Sequence, residues 1–314
     1  MKKSKNIENV NKLKSMIKSF GAITALFIGI WLLFTGSGVG HSYMVTENTR
    51  VASKMVTVKT ADKNRKKKTS YNASLTKSID SKEIWRAKQY PVNPVGRMSI
   101  PVVNIHNPLF EGYGDHNQNL SFGVVSSVAG RRLGSPNTNV CYAGHYMGNY
   151  GAAILDNLHY VKPGDVIYLT DMHRIYAYKA NSIAFDIKPN QVEVENNQRG
   201  KSLVTLITCS DFDINKYGYG KHRTVVQGEL IGSVPATKTN LVKTELTDKD
   251  NQPSMSKAKK QKRVYNPVTK KVVYIRKAAQ PKVTQNITYT QILTTVVILY
   301  FVILIGRFAY IWFK

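Results

Sequence analysis

The sequence predicts an all-β domain, a closed barrel or a sandwich, between two apolar segments long enough to span a membrane. Between residues 98 and 232, short runs rich in β-branched and aromatic residues alternate with turn residues, which is typical of all-β domains. Apolar runs lie near both ends of the chain, and most of the excess positive charge lies outside the centre. We therefore expect one globular domain with two membrane-associated flanks.

The charge distribution favours a single domain in this chain of 314 residues. Residues 1–85, 86–234 and 235–314 carry net charges of +11, +3 and +12, which account for the total of +26. The central segment alone is long enough to bury a hydrophobic core. The basic flanks carry no base-stacking aromatic pattern, so we predict no nucleic-acid partner and favour contact with anionic lipids or wall polymers.

The N-terminal apolar run predicts a membrane anchor over residues 19–40. Residues 1–18 form a basic tail, expected to be cytoplasmic, and the apolar run 20–34 with its extension to residue 40 approaches the ~20 residues that cross a bilayer. A basic flank before an apolar run is also typical of a cleaved signal peptide. Because no Ala-x-Ala site follows, we predict a retained anchor.

A second span is predicted over residues 287–313, where the run 292–306 lacks a polar face. Arg307 and Lys314 follow that run, as expected for an end on the cytoplasmic side. With both spans in the cell membrane, the domain between them would be extracytoplasmic. The basic segments 41–85 and 235–286 are predicted to be solvated, flexible linkers, apart from a short strand at 272–275.

Six strands are predicted within a domain that we place at residues 86–234. The intervening sequences are rich in Gly, Pro and Asn, which favour turns. A single short helix is predicted over residues 152–160. The six strands cover residues 98–103, 139–143, 166–170, 175–180, 203–209 and 224–231.

Cys209 ends one of these runs and precedes the polar Ser210. A cysteine at a strand end can be presented at the rim of a barrel, and a nearby cation or base would make its thiolate available as a nucleophile. A lone cysteine in a strand is more often a small core residue. Cys209 is therefore a candidate nucleophile only in combination with other groups.

His145 and Arg223 are the candidate partners of Cys209. His145 follows a glycine that permits a turn, and an imidazole transfers protons near neutral pH. Arg223 lies fourteen residues after Cys209 at the start of the last strand, so a returning chain would bring the two together. Its guanidinium stays charged and can hold an oxyanion. Five other histidines are predicted to be structural, namely His106, His116, His159, His173 and His222.

Taken in order, these residues resemble the sortase family of cysteine transpeptidases. Residues 205–209 (TLITC) match the TLxTC signature of the family, residues 143–145 (AGH) match its AGH segment, and an arginine follows the cysteine at the family's spacing. Residues 107–112 and 161–171 resemble two further family segments. The likeness covers residues 95–232, which is nearly the whole predicted domain.

The resemblance implies an eight-stranded β-barrel with its active site at one end. Cys209 would be the nucleophile, His145 the acid and base, and Arg223 the stabilising cation. Thr208 and Ala143 would bind the substrate. The enzyme would cleave an LPxTG-like sorting signal of a surface protein between Thr and Gly, and would transfer the protein from a thioacyl intermediate to an amine of a peptidoglycan precursor. No cofactor is implied.

Some members of the family bind calcium to order a substrate loop. Where these members place acidic ligands, residues 125–133 read VSSVAGRRL. Oxygen donors remain elsewhere, at Glu111, Asp115, Glu193 and Glu195. We predict no calcium requirement and no other metal.

Cys141 lies four residues before His145, so the two would face the same side of an extended strand. We assign Cys141 to packing. A disulfide between Cys141 and Cys209 would block the proposed nucleophile, and a zinc site would lack the Cys-x-x-Cys spacing.

Several functions remain open within and beyond the resemblance. Class A housekeeping sortases usually have only an N-terminal anchor, whereas pilin-polymerising class C members usually add a C-terminal span, as here. The sequence lacks the Asp-Pro-aromatic lid of the polymerases, and Asp211 follows Cys209 closely, so the housekeeping function is preferred. A non-catalytic, membrane-tethered wall-binding module and a cysteine protease are the alternatives from other classes.

Overall fold

Eight strands in the middle of the chain close into a barrel. In the computed structural model, residues 2–76, 79–146, 154–210, 220–249, 263–265, 272–274 and 289–313 are described. The barrel strands are β1 (Pro94–Ile100), β2 (Ile105–Phe110), β3 (Val124–Ser126), β4 (Thr138–Ala143), β5 (Val166–Thr170), β6 (Arg174–Ile187), β7 (Ser202–Cys209) and β8 (Arg223–Pro235). The predicted eight-stranded barrel is confirmed.

The order of the strands around the barrel determines where the functional residues meet. Hydrogen bonding follows the order β1-β2-β3-β4-β7-β8-β6-β5, and β5 pairs with β1 to close the ring. The β2–β3 and β4–β7 pairs are parallel, and the other pairs are antiparallel. Because β4 and β7 are parallel, their C-terminal ends lie at the same edge.

The barrel encloses a core of large apolar side chains. Phe110, Tyr168 and Tyr178 are among the largest side chains that are fully buried, together with Met98 and Ile105. An eight-stranded barrel is just wide enough for side chains to fill its interior, so such bulky residues leave a packed core rather than a channel. This packing holds the strand ends at the rim in fixed positions.

The six predicted strands all occur, with shifted ends. The run at 98–103 begins earlier, as β1, and then turns at Pro101–Val103, where Asn104 adopts a left-handed backbone with φ 56°. The run at 175–180 extends to Ile187 because β6 pairs along most of β8. Two strands were not among the six, β2 and the short β3, whose three residues carry too little periodicity. The helix predicted at 152–160 is a 3-10 turn at Asp156–Tyr160, and residues 152–153 lie outside the described residues.

Three helices precede the barrel and pack against it, namely α2 (Gly38–Met55), α3 (Val58–Arg65) and α4 (Ser81–Ala87). The buried Arg97 of β1 donates hydrogen bonds to the carbonyl oxygens of Ser53 (2.8 Å) and Val56 (3.0 Å). Arg65 donates to the carbonyl oxygens of Val95 (2.5 Å) and Asp171 (2.8 Å). The expectation of a flexible linker over residues 41–85 does not hold for these helices, because several of their polar groups are bonded to the barrel.

The segment that follows β8 also packs against the barrel. Helix α5 (Lys238–Lys243) is followed by Leu246, which is buried, and by a contact of 2.7 Å between Glu245 and His106 of β2. The expected linker over residues 235–286 is therefore ordered at its start. The strand predicted at 272–275 is observed as β10 (Val272–Tyr274), which pairs with β9 (Arg263–Tyr265), and most of the remaining linker lies outside the described residues.

Residues 1–40 and 286–314 form a separate unit from residues 41–285. Its helices are α1 (Lys2–Gly36) and α6 (Tyr289–Phe313), which are joined by a hydrogen bond of 2.9 Å between the hydroxyl groups of Thr24 and Tyr300. The stretches Ile7–Gly36 and Gln291–Phe313 have mean hydropathies of 1.9 and 2.3, so both are long and apolar enough to cross a membrane. The first helix ends at Gly36 rather than at residue 40.

Candidate active site

Cys209 is the last residue of β7 and lies directly opposite Arg223, the first residue of β8. The pairing continues one residue further, since the Ser210 amide donates to the His222 carbonyl oxygen (3.1 Å). The backbone of Gly220 lies against the thiol, because a Cβ atom at this position would be only 2.7 Å from Cys209 Sγ. Cys209 is half-buried at the rim of the barrel, as the strand-end position predicts.

His145 is placed beside Cys209 by the parallel pairing of β4 with β7. Ala143 pairs with Ile207, so His145 and Cys209 each lie two residues beyond the same pair. Two hydrogen bonds extend this pairing, from the Gly144 amide to the Ile207 carbonyl oxygen (3.1 Å) and from the Thr208 hydroxyl to the Gly144 carbonyl oxygen (2.8 Å). Residues that are distant in the sequence thus share one edge.

The Arg223 side chain contacts the backbone just before the start of β8. Its Nη1 atom donates to the carbonyl oxygens of Gly220 (2.7 Å) and His222 (3.1 Å). The guanidinium is therefore held next to the backbone that covers the Cys209 thiol. A fixed cation at this position can stabilise negative charge that develops close to the sulfur.

The environment of His145 favours a neutral imidazole. Burial and, to a smaller extent, the positive charge of Arg223 together lower the pKa of His145 from 6.5 to about 4. A neutral imidazole can accept a proton, whereas an imidazolium cannot. Tyr113 is also in this region, and burial raises its pKa to about 12.

The side chains of Cys209, His145 and Arg223 line one cavity of about 320 Å³. A cavity of this size suits a short extended peptide or a comparable small ligand. The other residues that line it are Ala73, Thr76, Tyr113, Leu120, Ser127, Ala143, Gly144, Ile187, Lys188, Pro189, Gln191, Val192, Val194, Glu195, Ile207, Thr208 and Val225. The structure therefore brings all five candidate site residues to a single cavity.

Thr208 and Ala143, the two candidate substrate-binding residues, contribute to the cavity in different ways. Thr208 is only 2% exposed and its hydroxyl donates to Gly144, so this hydroxyl is already used within the fold. Ala143 contributes a small wall next to His145. Either residue can shape the cavity, but neither supplies an acid or a base.

Cys141 lies away from the cavity lining, in the interior of β4. It is 1% exposed, and neither Cys141 nor Cys209 forms a disulfide. Burial raises the pKa of its thiol to about 12, with a further contribution from the charge of Glu195. The assignment of Cys141 to packing agrees with this environment, because such a thiol forms no thiolate near neutral pH.

Sequence reasoning missed two walls of the cavity. One is the connection between β6 and β7, which includes a 3-10 turn at Val192–Glu195. The other is a segment before the barrel, where Ala73 and Thr76 reach the cavity. Neither carries a motif in this single sequence, and the second is 69 residues or more from His145, so only the fold reveals them.

The other histidines with described contacts have structural partners. His106 pairs with Glu245, His173 lies 2.9 Å from Asp62, and His116 stacks on Tyr90 with ring centroids 3.9 Å apart. His159 packs against Tyr146, with ring centroids 4.8 Å apart. The His222 carbonyl oxygen joins the strand pairing at the site.

The carboxylates considered as calcium ligands have other neighbours. Glu111 accepts hydrogen bonds from Tyr71 (2.8 Å) and Ser126 (3.1 Å), and Glu195 accepts one from Ser127 (2.6 Å). Among the described ranges, no group of three or more His, Cys, Asp or Glu side chains is arranged to hold a metal ion.

Comparison with known proteins finds similarity to sortases. The family model of the sortase domain matches residues 98–231. A Sortase A of Streptococcus agalactiae is 28% identical over 230 residues, which are 72% of this chain and 89% of that protein. A Sortase A of Staphylococcus aureus is 31% identical over 136 residues, which are 43% of this chain and 64% of that protein. The crystal structure of sortase A from Listeria monocytogenes covers 48% of this chain and 96% of its own at 28% identity, with a TM-score of 0.42.

Proposed function

Because this chain is a class A-like sortase, and therefore a cysteine transpeptidase, we propose that it cleaves an LPxTG-like sorting signal between Thr and Gly. The released carboxyl end of the surface protein is then transferred to an amine of a peptidoglycan precursor. One observation carries this proposal. Cys209, His145 and Arg223 come from three different strand ends and line the same cavity.

Cys209 acts as the nucleophile in the first half of the reaction. The neutral imidazole of His145 takes the thiol proton, and the sulfur attacks the carbonyl carbon of the Thr residue in the signal. The electron pair of the carbonyl moves to its oxygen, where the Arg223 guanidinium stabilises the negative charge. When the C–N bond breaks, His145 returns its proton to the leaving amine of Gly, and a thioester with Cys209 remains.

The second half of the reaction reverses these roles. The amine of the acceptor attacks the thioester carbonyl, and His145 removes a proton from the attacking nitrogen. Collapse of the second tetrahedral intermediate expels the sulfur, which regains the proton from His145. A new amide bond replaces the one that was cleaved, so the cycle needs no cofactor.

Ala143 and Thr208 are proposed to shape the substrate-binding part of the cavity. Ala143 keeps the space beside His145 open, because a larger side chain would fill it. Thr208 holds the Gly144 carbonyl oxygen and so fixes the backbone that carries His145. Both therefore act by position and shape rather than by chemistry.

We propose that the chain spans the cell membrane twice and that its catalytic domain is extracytoplasmic. Support comes from the two apolar helical stretches and from the basic residues beside them. The division proposed for the rest is a basic tail (1–18), an anchor (19–40), a linker (41–85), the catalytic barrel (86–234), a linker (235–286) and a second span (287–313). This arrangement would hold the barrel close to the precursor that supplies the amine.

A second candidate function is pilin polymerisation, and the C-terminal stretch Gln291–Phe313 favours it. Class C-like enzymes polymerise pilins, so their acceptor amine would belong to another pilin subunit instead of to the precursor. The absence of an Asp-Pro-aromatic sequence and the names of the relatives favour the housekeeping function. The two functions differ in the acceptor amine.

The experiment uses the full-length chain in detergent with a quenched fluorescent peptide that contains LPxTG. The wild-type protein is expected to cleave the peptide, and Cys209→Ala to lose at least about a thousandfold in kcat/KM. Cys141→Ala serves as a matched cysteine control and is expected to retain turnover.

The product then identifies the class of reaction. A transpeptidase diverts product to the amine adduct when a glycine-based amine is added, whereas a cysteine protease gives hydrolysis that the amine does not change. A wall-binding module cleaves nothing in either form. Turnover that survives Cys209→Ala would refute the proposed function.

A further inference from the structure

One wall of the cavity is a short turn that has no buried residue. The connection between β6 and β7 supplies six of the twenty residues that line the cavity, and it contains the 3-10 turn at Val192–Glu195. None of the four residues of this turn is buried, and Val192 is 60% exposed. Since the turn buries no side chain, polar contacts have to hold it in place.

Arg131 makes the charged contact to this turn. Its Nη1 atom donates to the carbonyl oxygen of Glu195 (2.5 Å) and to that of Asn139 in β4 (2.6 Å). The same nitrogen is 3.4 Å from Cys141 Sγ. Arg131 lies in the connection between β3 and β4, so a single guanidinium joins that connection, the edge of β4 and the cavity wall.

Two uncharged side chains, those of Asn139 and Ser127, complete the attachment. The Asn139 side-chain amide donates to the carbonyl oxygens of Val194 (3.0 Å) and Asn196 (3.2 Å). The Ser127 hydroxyl donates to the Glu195 carboxylate (2.6 Å). A hydrogen bond with an ionised donor or acceptor is about twice as strong as a neutral one, so Arg131 contributes more than Asn139, while the contact of Ser127 with the Glu195 carboxylate is also charge-assisted.

We propose that Arg131 is a positioning residue that fixes the cavity wall at Val192–Glu195 in the shape that binds the sorting signal. It does not touch the reacting atoms and acts through the Glu195 carbonyl oxygen. This inference rests on the proposed function for its substrate, but its structural part can be tested without turnover. Loss of Arg131 should therefore weaken substrate binding and leave the chemical step largely unchanged.

The neighbouring Arg132 provides a matched control. It is exposed and carries the same charge one residue away. Arg131→Ala is expected to raise KM for the LPxTG peptide about tenfold, with kcat within about twofold of wild type, as for loss of one charged hydrogen bond. Arg131→Lys keeps the charge and one donor, so it should recover part of the KM loss. Arg132→Ala should match wild type in both constants.

A second measurement does not depend on activity. Amide hydrogen exchange of the full-length chain should show faster exchange at residues 192–196 in Arg131→Ala, with unchanged exchange in the barrel strands, and no change in Arg132→Ala. Ser127→Ala removes one hydrogen bond to the Glu195 carboxylate and should also speed exchange at the same residues. Arg131→Lys, which keeps the charge, should speed exchange there less than Arg131→Ala and keeps the test informative if Arg131→Ala does not fold.

The outcomes separate the two proposals. If the wild-type chain cleaves no peptide, the proposed function fails, while the exchange data still decide whether Arg131 holds the turn. If Arg131→Ala equals Arg132→Ala in KM and in exchange, the positioning proposal is wrong. A fall in kcat with unchanged KM would also overturn it, because that result would place Arg131 in the chemical step.

Discussion

Cys209, the last residue of β7, and Arg223, the first residue of β8, form the pair at one end of the antiparallel β7–β8 ladder. The thiol and the guanidinium therefore start from backbone positions that a strand pairing fixes. The Gly220 carbonyl oxygen, which accepts from Arg223, belongs to the same backbone that lies against the sulfur. Changes at these positions should affect the reaction more than the fold.

Gly220→Ala should abolish turnover. The added methyl group would lie 2.7 Å from Cys209 Sγ and 2.6 Å from its Cβ atom, so it would displace or cover the proposed nucleophile. Gly164→Ala is the control, because Gly164 has φ +94° and no neighbour within 4 Å of the added atom. That control should cost about 1 kcal/mol of stability and keep kcat/KM. Equal activity of the two variants in the peptide assay would contradict this prediction.

The imidazole of His145 should titrate well below its usual range. Burial and the charge of Arg223 lower its pKa to about 4, and the Arg223→Gln substitution removes the second cause. We expect the midpoint to rise in Arg223→Gln and to stay unchanged in Arg174→Gln, whose guanidinium is bonded to the distant Ser233. Nuclear magnetic resonance of the ring Cε1–H signal, assigned with His145→Gln, measures this. Identical midpoints in all three proteins would refute the electrostatic coupling.

The same pKa shift predicts a direction for stability. The folded pKa of about 4 lies below the unfolded value of 6.5, so the unfolded chain binds the proton first as the pH falls. His145 should therefore reduce stability between about pH 6.5 and pH 4 and have no effect above that range. Chemical denaturation of wild type and of His145→Gln across this range should give a shallower pH dependence for the variant. Parallel curves would show that His145 titrates normally.

The two cysteines should differ strongly in reactivity. Burial raises the pKa of Cys141 to about 12, whereas Cys209 is half-buried and lines the cavity. Iodoacetamide at neutral pH should alkylate Cys209 at least about tenfold faster than Cys141, because only the thiolate reacts. Peptide mapping by mass spectrometry measures both rates in one sample. Faster labelling of Cys141 would require a different nucleophile.

Tyr71 should attach the segment before the barrel to Glu111, which follows β2. Its hydroxyl donates to Glu111 (2.8 Å), and the nearby Ser70 carbonyl oxygen accepts from the Tyr113 amide (2.7 Å). Tyr71→Phe should lower the free energy of unfolding by about 1 kcal/mol. In a double-mutant cycle with Glu111→Gln, we expect a coupling energy of similar size. Additive effects of the two substitutions would show that the contact does not contribute.

Removal of calcium should leave the activity unchanged. The Arg131 guanidinium already donates to the Glu195 carbonyl oxygen, at the turn that forms one cavity wall. A chelator, or added calcium at millimolar concentration, should therefore change kcat/KM by less than about twofold, since a metal would have to displace existing hydrogen bonds. Activation by calcium that a chelator reverses would contradict the prediction.

Much of the barrel was predictable because its strands carry β-branched side chains and are flanked in the sequence by turn residues. The strand 166–170 was predicted to its end residues, and the end of β7 at Cys209 follows from the polar residues after it. The placement of His145 beside Cys209 came from the family resemblance and not from periodicity. Parallel pairing of β4 with β7 has no local signal, since it joins residues far apart in the chain.

The packing of residues 41–85 was not predictable from composition. A basic segment looks solvated when only its charge is counted, yet Arg65 and Arg97 use their guanidinium groups to bond backbone carbonyl oxygens between this segment and the barrel. The cavity wall at Val192–Glu195 was missed for a related reason. Its position depends on Arg131 and Asn139, and hydrogen bonds of that kind leave no pattern in one sequence.

The pairing of β4 with β7 also bears on how the protein becomes active as it folds. Gly144 and Thr208, which join the two strand ends, are 64 residues apart in sequence. Contacts between such distant residues form slowly, because a long loop has to close before they gain any stability. A newly made, unfolded chain therefore has the Cys209 thiol without its imidazole neighbour. On the proposed mechanism, such a chain would not react with surrounding peptides until its barrel has closed.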